Sequence, residues 1–313
     1  MKVSGHHSGR RLDKYIRFLW PNIPLSALMK HIRKGTVRVN GSKVPCSERL
    51  EEGDLVTVPW AAPSMPCDKE PGHRDELDLI YRDRNIAIIN KPSGLLSQPS
   101  TKGEDSVITR FWKCFGSPFE DFRPSLANRL DRNTSGALLV AMNGMALRDL
   151  NSAIREGHVK KRYLAVVCGK IDLKGRIAAP LMKDSSTNLV TVDPGGKPSV
   201  TLFTRLFSSH DLSLVEVDLV TGRPHQARVH LSYAGHPVLG DLKYGFSRMN
   251  DLWRSRGVRR PLLHASGVGF SDPRGVISYL SGNTFFASLP VDFTSILEAM
   301  NWYYSVPANP EIK

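Results

Sequence analysis

The chain has 313 residues, is 41% hydrophobic and carries 43 Lys and Arg against 30 Asp and Glu, a net charge of +13. It is long enough for two domains with a sizeable core. No apolar run approaches the roughly 18 residues of a membrane span, and the start, Met1-Lys-Val-Ser-Gly-His-His, lacks the apolar stretch of a secretory signal. The four cysteines, Cys46, Cys67, Cys114 and Cys168, form no C-x-x-C pair and are too sparse for a disulfide scaffold. A cytoplasmic protein with a polyanionic partner is expected, because Lys and Arg displace counterions from phosphates. An anionic membrane would want a lipidation motif or a basic amphipathic helix, and no lipidation motif is present.

Residues 10–60 read as a compact basic unit. Leu12, Tyr15, Ile16 and Leu19 share one helical face, and Leu25, Leu28, Met29 and Ile32 repeat the spacing. Pro24 suits the first turn of the second helix and Gly35 its end. Residues 36–44 then predict two strands around Asn40-Gly41, a hairpin turn signal, and residues 53–58 another strand. Residues 1–60 hold eleven Lys and Arg against five Asp and Glu, so nearly half the excess charge lies in a fifth of the chain. Lys30, Arg33 and Lys34 fall off the apolar face of the second helix, beside a hairpin carrying Arg38 and Lys43. They make either an ordinary solvated face or a phosphate-tracking one. Residues 61–76, rich in Pro and charge without a period, read as a linker.

From residue 77 to 300 strands dominate. Residues 79–81, 86–89, 137–141, 162–168, 199–206 and 213–220 read as strands, with Tyr163, Ala165 and Val167 on one face. Residues 146–156 and 225–234 read as helices, the second between Pro224 and Gly235. Strands with segregated helices predict an α+β domain with a mixed, mainly antiparallel sheet. Residues 301–313 are left as a C-terminal tail.

The chemistry-bearing stretch is RLDRNTSG at 129–136, just before the apolar run at 137–141. Taken alone, Asp131 reads as a turn residue bonding nearby amides. Arg228 would hold Asp131 ionised if the fold brought the two together. Tyr163 is either a core tyrosine or a platform for a base. His225 and His230 are five apart, without the H-E-x-x-H pattern of a zinc helix. They read as structural or RNA-facing. Gly195-Gly-Lys197 lacks the Walker spacing, so no nucleotide cofactor is expected.

Six blocks together resemble the pseudouridine synthases of the RluA type: INKPSGLL at 89–96, RLDRNTSG at 129–136, KRYLA at 161–165, GRPHQARVH at 222–230, VLGDLKYG at 238–245 and LHA at 263–265. The basic unit resembles the small RNA-binding domain named for ribosomal small-subunit protein four, through RLDKYI at 11–16, the L-x-x-L-M-x-x-I helix, G-x-V-x-V-N-G and G-D-x-V. The resemblance implies an α+β pseudouridine-synthase core with a central cleft, preceded by a small N-terminal α/β-hairpin RNA-binding domain. Asp131 matches the catalytic aspartate, Tyr163 the tyrosine that stacks on the target uracil and is a candidate to move its carbon-5 proton, and Arg228 the arginine paired with the aspartate. Arg129 matches the arginine that fills the space of the flipped nucleotide. Neither cofactor nor metal is implied, and a monomer is expected. The N-terminal unit points to 23S-type large-subunit ribosomal RNA, with transfer RNA the other substrate class. Three positions depart from the pattern: Asn128 stands where His is common, Asn133 where Asp is common, and Ala227 where a branched aliphatic is common. The rival expectation is an RNA-binding ribosome-assembly factor without catalysis.

Overall fold

The structure is a computed structural model that describes residues 1–3, 5–20, 23–60, 77–101, 103–116, 122–184 and 186–312. The expected linker at 61–76 lies outside the described residues, as do Pro21 and Cys67.

The N-terminal unit contains α1 (Leu12–Leu19) and α2 (Leu25–Lys34). Leu12, Tyr15, Ile16, Leu19, Leu28 and Ile32 close over one small core with Val3, Val37, Val39, Leu50 and Val56. Gly35 ends α2 in the left-handed region, at φ 74°. The Asn40-Gly41 turn forms as expected, both residues at positive φ. Only the Val39–Ser42 pair closes across it, however. The second arm of the expected hairpin is not a strand. Instead β1 (Arg38–Val39) pairs with β2 (Val56–Thr57), and Asn40 secures that pairing by bonding Asp54 and the Leu55 amide. Residues before position 10 also belong to the unit: Val3 is buried, and the Met1 ammonium donates to the Val56 carbonyl at 2.6 Å.

The remainder is built on one ten-stranded sheet. In chain order its elements begin with β3 (Asp78–Arg82), β4 (Ile86–Lys91), α3 (Val107–Phe115), β5 (Ser125–Leu126), β6 (Ser135–Ala141), α4 (Gly144–Glu156) and β7 (Val159–Cys168). They continue with β8 (Lys174–Ala178), β9 (Leu181–Lys183), β10 (Val190–Val192), β11 (Val200–Ser208), β12 (Leu212–Leu219) and α5 (Gln226–Tyr233). Last come α6 (Ser247–Arg254), β13 (Leu263–Phe270), β14 (Thr284–Phe286) and α7 (Val291–Ala299). The strand order is β3-β4-β6-β13-β7-β12-β11-β8, with β14 beside β13 and β5 beside β6; β9 and β10 make a separate two-stranded sheet. Among the described strands only β6 and β13 pair in parallel, so the expected mixed, mainly antiparallel sheet is what forms.

Alternation along the strands sorts the core onto two faces, since successive side chains point to opposite sides of a sheet. Ala87, Ile89, Leu138, Val140, Tyr163, Ala165 and Val167 meet α3 and α5 on one face. Ile86, Ile88, Ala137 and Leu139 meet α4 on the other, and Leu164, Val166 and Leu214 meet α7 there. The stretch expected as a tail also packs: Trp302 is buried in that last cluster, and the Asn309 side chain bonds both backbone groups of Phe286. The N-terminal unit touches α4, where the Arg148 guanidinium donates to the Ser8 carbonyl.

The β6–β13 junction tolerates no side chain at Gly136. Its φ is +111°, and a Cβ there would lie 2.2 Å from the Ala265 carbonyl oxygen. Backbone cannot yield cheaply in a close-packed interior. Gly136→Ala is therefore expected to abolish soluble folded protein, read as loss of a cooperative melt; an unaltered melting curve would refute so tight a junction.

Candidate active site

Asp131 sits in the turn between β5 and β6, and the backbone of that turn is held from several directions. The Asn128 Oδ1 accepts the Leu139 amide at 2.8 Å. Ser97 exchanges hydrogen bonds with Leu130, donating to its carbonyl at 2.8 Å and accepting its amide at 3.0 Å. The Arg132 carbonyl accepts from the Gly94 amide and from the Lys91 ammonium, both at 2.9 Å. The Asn133 carbonyl accepts from the Ser93 hydroxyl at 2.9 Å and from Arg260 Nη1 at 3.2 Å. A turn tied this often presents its side chain at a fixed place, as chemistry requires.

Lys91 is a fully buried amine. Its Nζ also donates to the Pro92 and Leu95 carbonyls, at 2.9 and 2.6 Å. Burial, and then the Arg260 charge, lower its pKa to about 7, while the Asp131 charge opposes them. Three carbonyl acceptors match the three N–H bonds of the charged form. Lys91 is a staple for the turn, its ammonium engaged by backbone carbonyls.

The second side of the site is the head of α5. Gln226 fastens it: its Oε1 accepts from the Thr221 hydroxyl and the Arg223 amide, and its Nε2 donates to Val200 and Thr201. Arg228, one turn in, donates from Nη1 to Asp131 Oδ2 at 3.2 Å. Its Nε and Nη2 fork onto Asp241 at 2.6 and 2.8 Å. Asp241 is completely buried and also accepts the amides of Lys243 and Tyr244. Burial alone would lower the Arg228 pKa, but the hydrogen bonds and charge of Asp241, followed by those of Asp131, outweigh it and raise the value. Arg228 thus stays charged, and Asp241 sets its direction.

Asp131 keeps 30% of its side chain exposed, against 11% for Arg228. One carboxylate is therefore open to a ligand and paired to a cation that is not. Tyr163, on β7, lies within the core cluster on this same face. Burial first, and the Asp131 charge second, raise the pKa of its phenol, so the hydroxyl keeps its proton. His225 stands just before α5, its Nε2 4.0 Å from Asp131 Oδ2 and its Nδ1 2.7 Å from the Tyr244 hydroxyl. His230, by contrast, is buried, with Nδ1 on Thr201 and Nε2 on the Ala179 carbonyl.

The fold therefore brings Asp131, Arg228 and Tyr163 to one place. Arg129 is exposed near the same turn. The N-terminal cations stand apart from them. Lys30, Arg33 and Lys34 are exposed on α2, and Arg33 and Lys43 share a cavity of about 460 Å³ with Met29, Ile32, Val44, Pro45 and Cys46. Arg38 is spent mainly on its own turn, donating to the Gly35 and Gly41 carbonyls. Sequence reasoning missed Asp241, Lys91 and Arg260. A lysine two residues past the apolar run at 86–89 was the signal for Lys91, since lysine is almost never fully buried without partners. Asp241 lay in plain view within VLGDLKYG but had no period to mark it.

Residues 85–233 match the family model described as RNA pseudouridylate synthase. The chain is 36% identical over 280 residues to a ribosomal large subunit pseudouridine synthase C of Vibrio cholerae serotype O1, covering 85% of this chain and 86% of that protein. This chain belongs to the RluA-type RNA pseudouridine synthases. A second relative with the same name, from Pasteurella multocida, is 33% identical over 307 residues, with 93% of this chain and 90% of that protein covered. The fold agrees. The human RNA pseudouridylate synthase domain containing 4 superposes with a TM-score of 0.57 at 23% identity, over 72% of the synthase and 93% of that chain. The human domain containing 1 gives 0.52 at 25% identity, over 78% and 100%. This synthase is an isomerase: uridine and pseudouridine have the same atoms, and the enzyme changes which ring atom holds the ribose.

Proposed function

We propose that this synthase acts on uridines of large-subunit ribosomal RNA, with Asp131 as the reacting carboxylate, Arg228 as its charge partner and Tyr163 as the face beneath the target base. The observation that carries the site assignment is the Arg228–Asp131 pair, 3.2 Å long, at the open side of a buried Arg228–Asp241 fork. The substrate assignment leans on the two relatives, whose names specify the ribosomal large subunit.

The bond from uracil nitrogen 1 to the ribose must break and one from carbon 5 must form, while the proton on carbon 5 leaves and nitrogen 1 gains one. An ionised carboxylate is suited to attack the anomeric carbon or uracil carbon 6, or to take a ribose 2′ proton. A cation locked on one side of it favours the ionised form. Tyr163 keeps its proton in the resting site, so stacking is its first task. The target must leave its stack, which costs a few kcal/mol and favours loops over duplex. Arg129, exposed in the same turn, takes the place of the flipped base in this reading. The deciding measurement is pseudouridine formation in unmodified large-subunit ribosomal RNA, with transfer RNA as the parallel substrate. Conversion of transfer RNA alone would overturn the ribosomal assignment. Tight RNA binding with no uridine converted in either would favour the assembly-factor alternative, against which the intact Asp131–Arg228 pair stands.

In the same proposal, Lys30, Arg33, Lys34 and Lys43 contact phosphates, and Arg38 contributes less because its guanidinium is already engaged. Replacing Lys30, Arg33 and Lys34 together with Gln should flatten the slope of log affinity against log salt by about two to three, near one per lost phosphate contact. Filter binding across a salt series reads this, and an unchanged slope would remove the phosphate role. Such a grip is consistent with the helices described, none of which is long and apolar enough to cross a membrane.

A further inference from the structure

His225 is held in an uncommon way. Its backbone lies in the left-handed region, φ 52° and ψ 15°, directly before α5, yet its side chain does not cap the helix. A bulky residue kept at positive φ beside a reactive group is the kind of local strain that a site retains for a purpose. The ring spans Tyr244 and Asp131: Nδ1 is 2.7 Å from the Tyr244 hydroxyl, and Nε2 is 4.0 Å from Asp131 Oδ2.

We propose that His225 is a second positioning residue for Asp131, presenting its Nε2 hydrogen to Oδ2 beside Arg228 and so leaving Oδ1 as the oxygen that meets the uridine. The inference rests on Asp131 being the reacting carboxylate. Three observations carry it. First, the Tyr244 oxygen already accepts the Val190 amide at 3.0 Å, so its own hydrogen is free to go to Nδ1. A neutral imidazole that accepts at one nitrogen bears its hydrogen on the other. With the phenol as the donor, the ring takes the tautomer that points N–H at Asp131.

Second, the surroundings keep the ring neutral. Burial lowers the His225 pKa most. Asp131 opposes this, Arg228 and Lys243 add to it, and Asp241 opposes it again, with a net lowering. Tyr244 faces the ring as an uncharged phenol, its own pKa raised chiefly by burial. Third, Arg228 Nη1 addresses the same oxygen, Oδ2, at 3.2 Å, and Oδ1 accepts no hydrogen bond among the described residues. With both donors on one oxygen, the other keeps its lone pairs for substrate. A 4.0 Å approach is longer than a hydrogen bond, and such contacts commonly tighten when substrate fills a site.

The test uses the full chain and large-subunit ribosomal RNA transcribed without modified bases, comparing the parent with His225→Asn, His225→Gln and Tyr244→Phe. Asn is the better residue at positive φ, but its amide nitrogen ends near the place of Nδ1. The Gln amide reaches the place of Nε2. A purely conformational role thus ranks Asn above Gln, and the positioning role ranks Gln above Asn. The expected result is a kcat about tenfold or more below the parent for Asn, recovered to within about threefold by Gln, with KM little changed in either, since only an interaction aimed at the reacting group is lost. Tyr244→Phe removes the donor to Nδ1 and so releases the tautomer, and its kcat should fall severalfold at pH 8 with KM little changed. Asn matching or exceeding Gln, or a Tyr244→Phe kcat equal to that of the parent, would overturn the proposal. Melting curves of each variant separate misfolding from loss of turnover, and the Tyr244→Phe arm decides if Gln fails to fold. Asp131→Asn, assayed alongside, separates this outcome from failure of the carboxylate assignment: activity there would remove the premise instead.

Discussion

Replacing Asp131 by Asn should lower pseudouridine formation by about a thousandfold or more, because an amide is neither a nucleophile nor a base at neutral pH. That loss corresponds to about 4 kcal/mol of transition-state stabilisation. The change is nearly isosteric. Arg228 still finds an oxygen acceptor 3.2 Å away, and the ties on the turn from Lys91, Ser93, Ser97 and Arg260 are to backbone atoms. Fold and RNA affinity should therefore persist, the latter within about twofold, since binding is carried mainly by contacts with phosphate and sugar. The measurement is single-turnover conversion of unmodified ribosomal RNA beside a filter-binding curve. Turnover equal to the parent would end the assignment of Asp131, and a parallel loss of binding would make its role recognition rather than chemistry.

Asp241→Ala is expected to destabilise the protein strongly from within the site. Asp241 is fully buried and neutralises Arg228 through two hydrogen bonds while accepting two backbone amides. Its removal strands a guanidinium that is only 11% exposed, with the partly exposed Asp131 as its remaining partner. Breaking a buried pair from one side costs about 3–5 kcal/mol, a fall in melting temperature of about five to eight degrees for a chain of this size. Turnover should fall as well, because Arg228 then turns fully towards Asp131 or away from it. The informative companion is Asp241→Ala combined with Arg228→Met. Removing both charges should restore part of the stability, since the stranded cation is gone, and none of the turnover. Stability of the double variant no better than that of Asp241→Ala alone would mean that the two amides, not the ion pair, are what Asp241 supports.

Arg228 shows how much of the site was legible. Its place at the head of a helix followed from Pro224, Gly235 and the spacing between them, and the resemblance supplied its pairing with Asp131. In the structure the two side chains are 3.2 Å apart. What neither spacing nor resemblance supplied was Asp241, thirteen residues on, which takes two of the three bonding groups of that guanidinium. Asn128 is a similar case. Its departure from the common His put loop orientation in question, and its Oδ1 in fact bonds the Leu139 amide across the turn. Spacing marks His225 only as structural or RNA-facing, whereas in the structure its Nε2 lies 4.0 Å from Asp131 Oδ2.

By itself the sequence determined the local elements. The period of 3.6 in α1 and α2, the alternation in β7, β11 and β12, and the Asn40-Gly41 turn all follow from interactions within a few residues, and these write themselves into spacing. Tertiary structure alone decided the rest. It made β6 and β13 parallel neighbours with Gly136 against Ala265, swapped the expected hairpin arm for β2, and stapled the Asp131 turn with Lys91 and Arg260. The reason is physical: a buried polar group is satisfied by whichever partner the fold delivers, and such a partner, 41 residues away for Lys91 and Arg132 or 127 for Arg260 and Asn133, leaves no period in the chain.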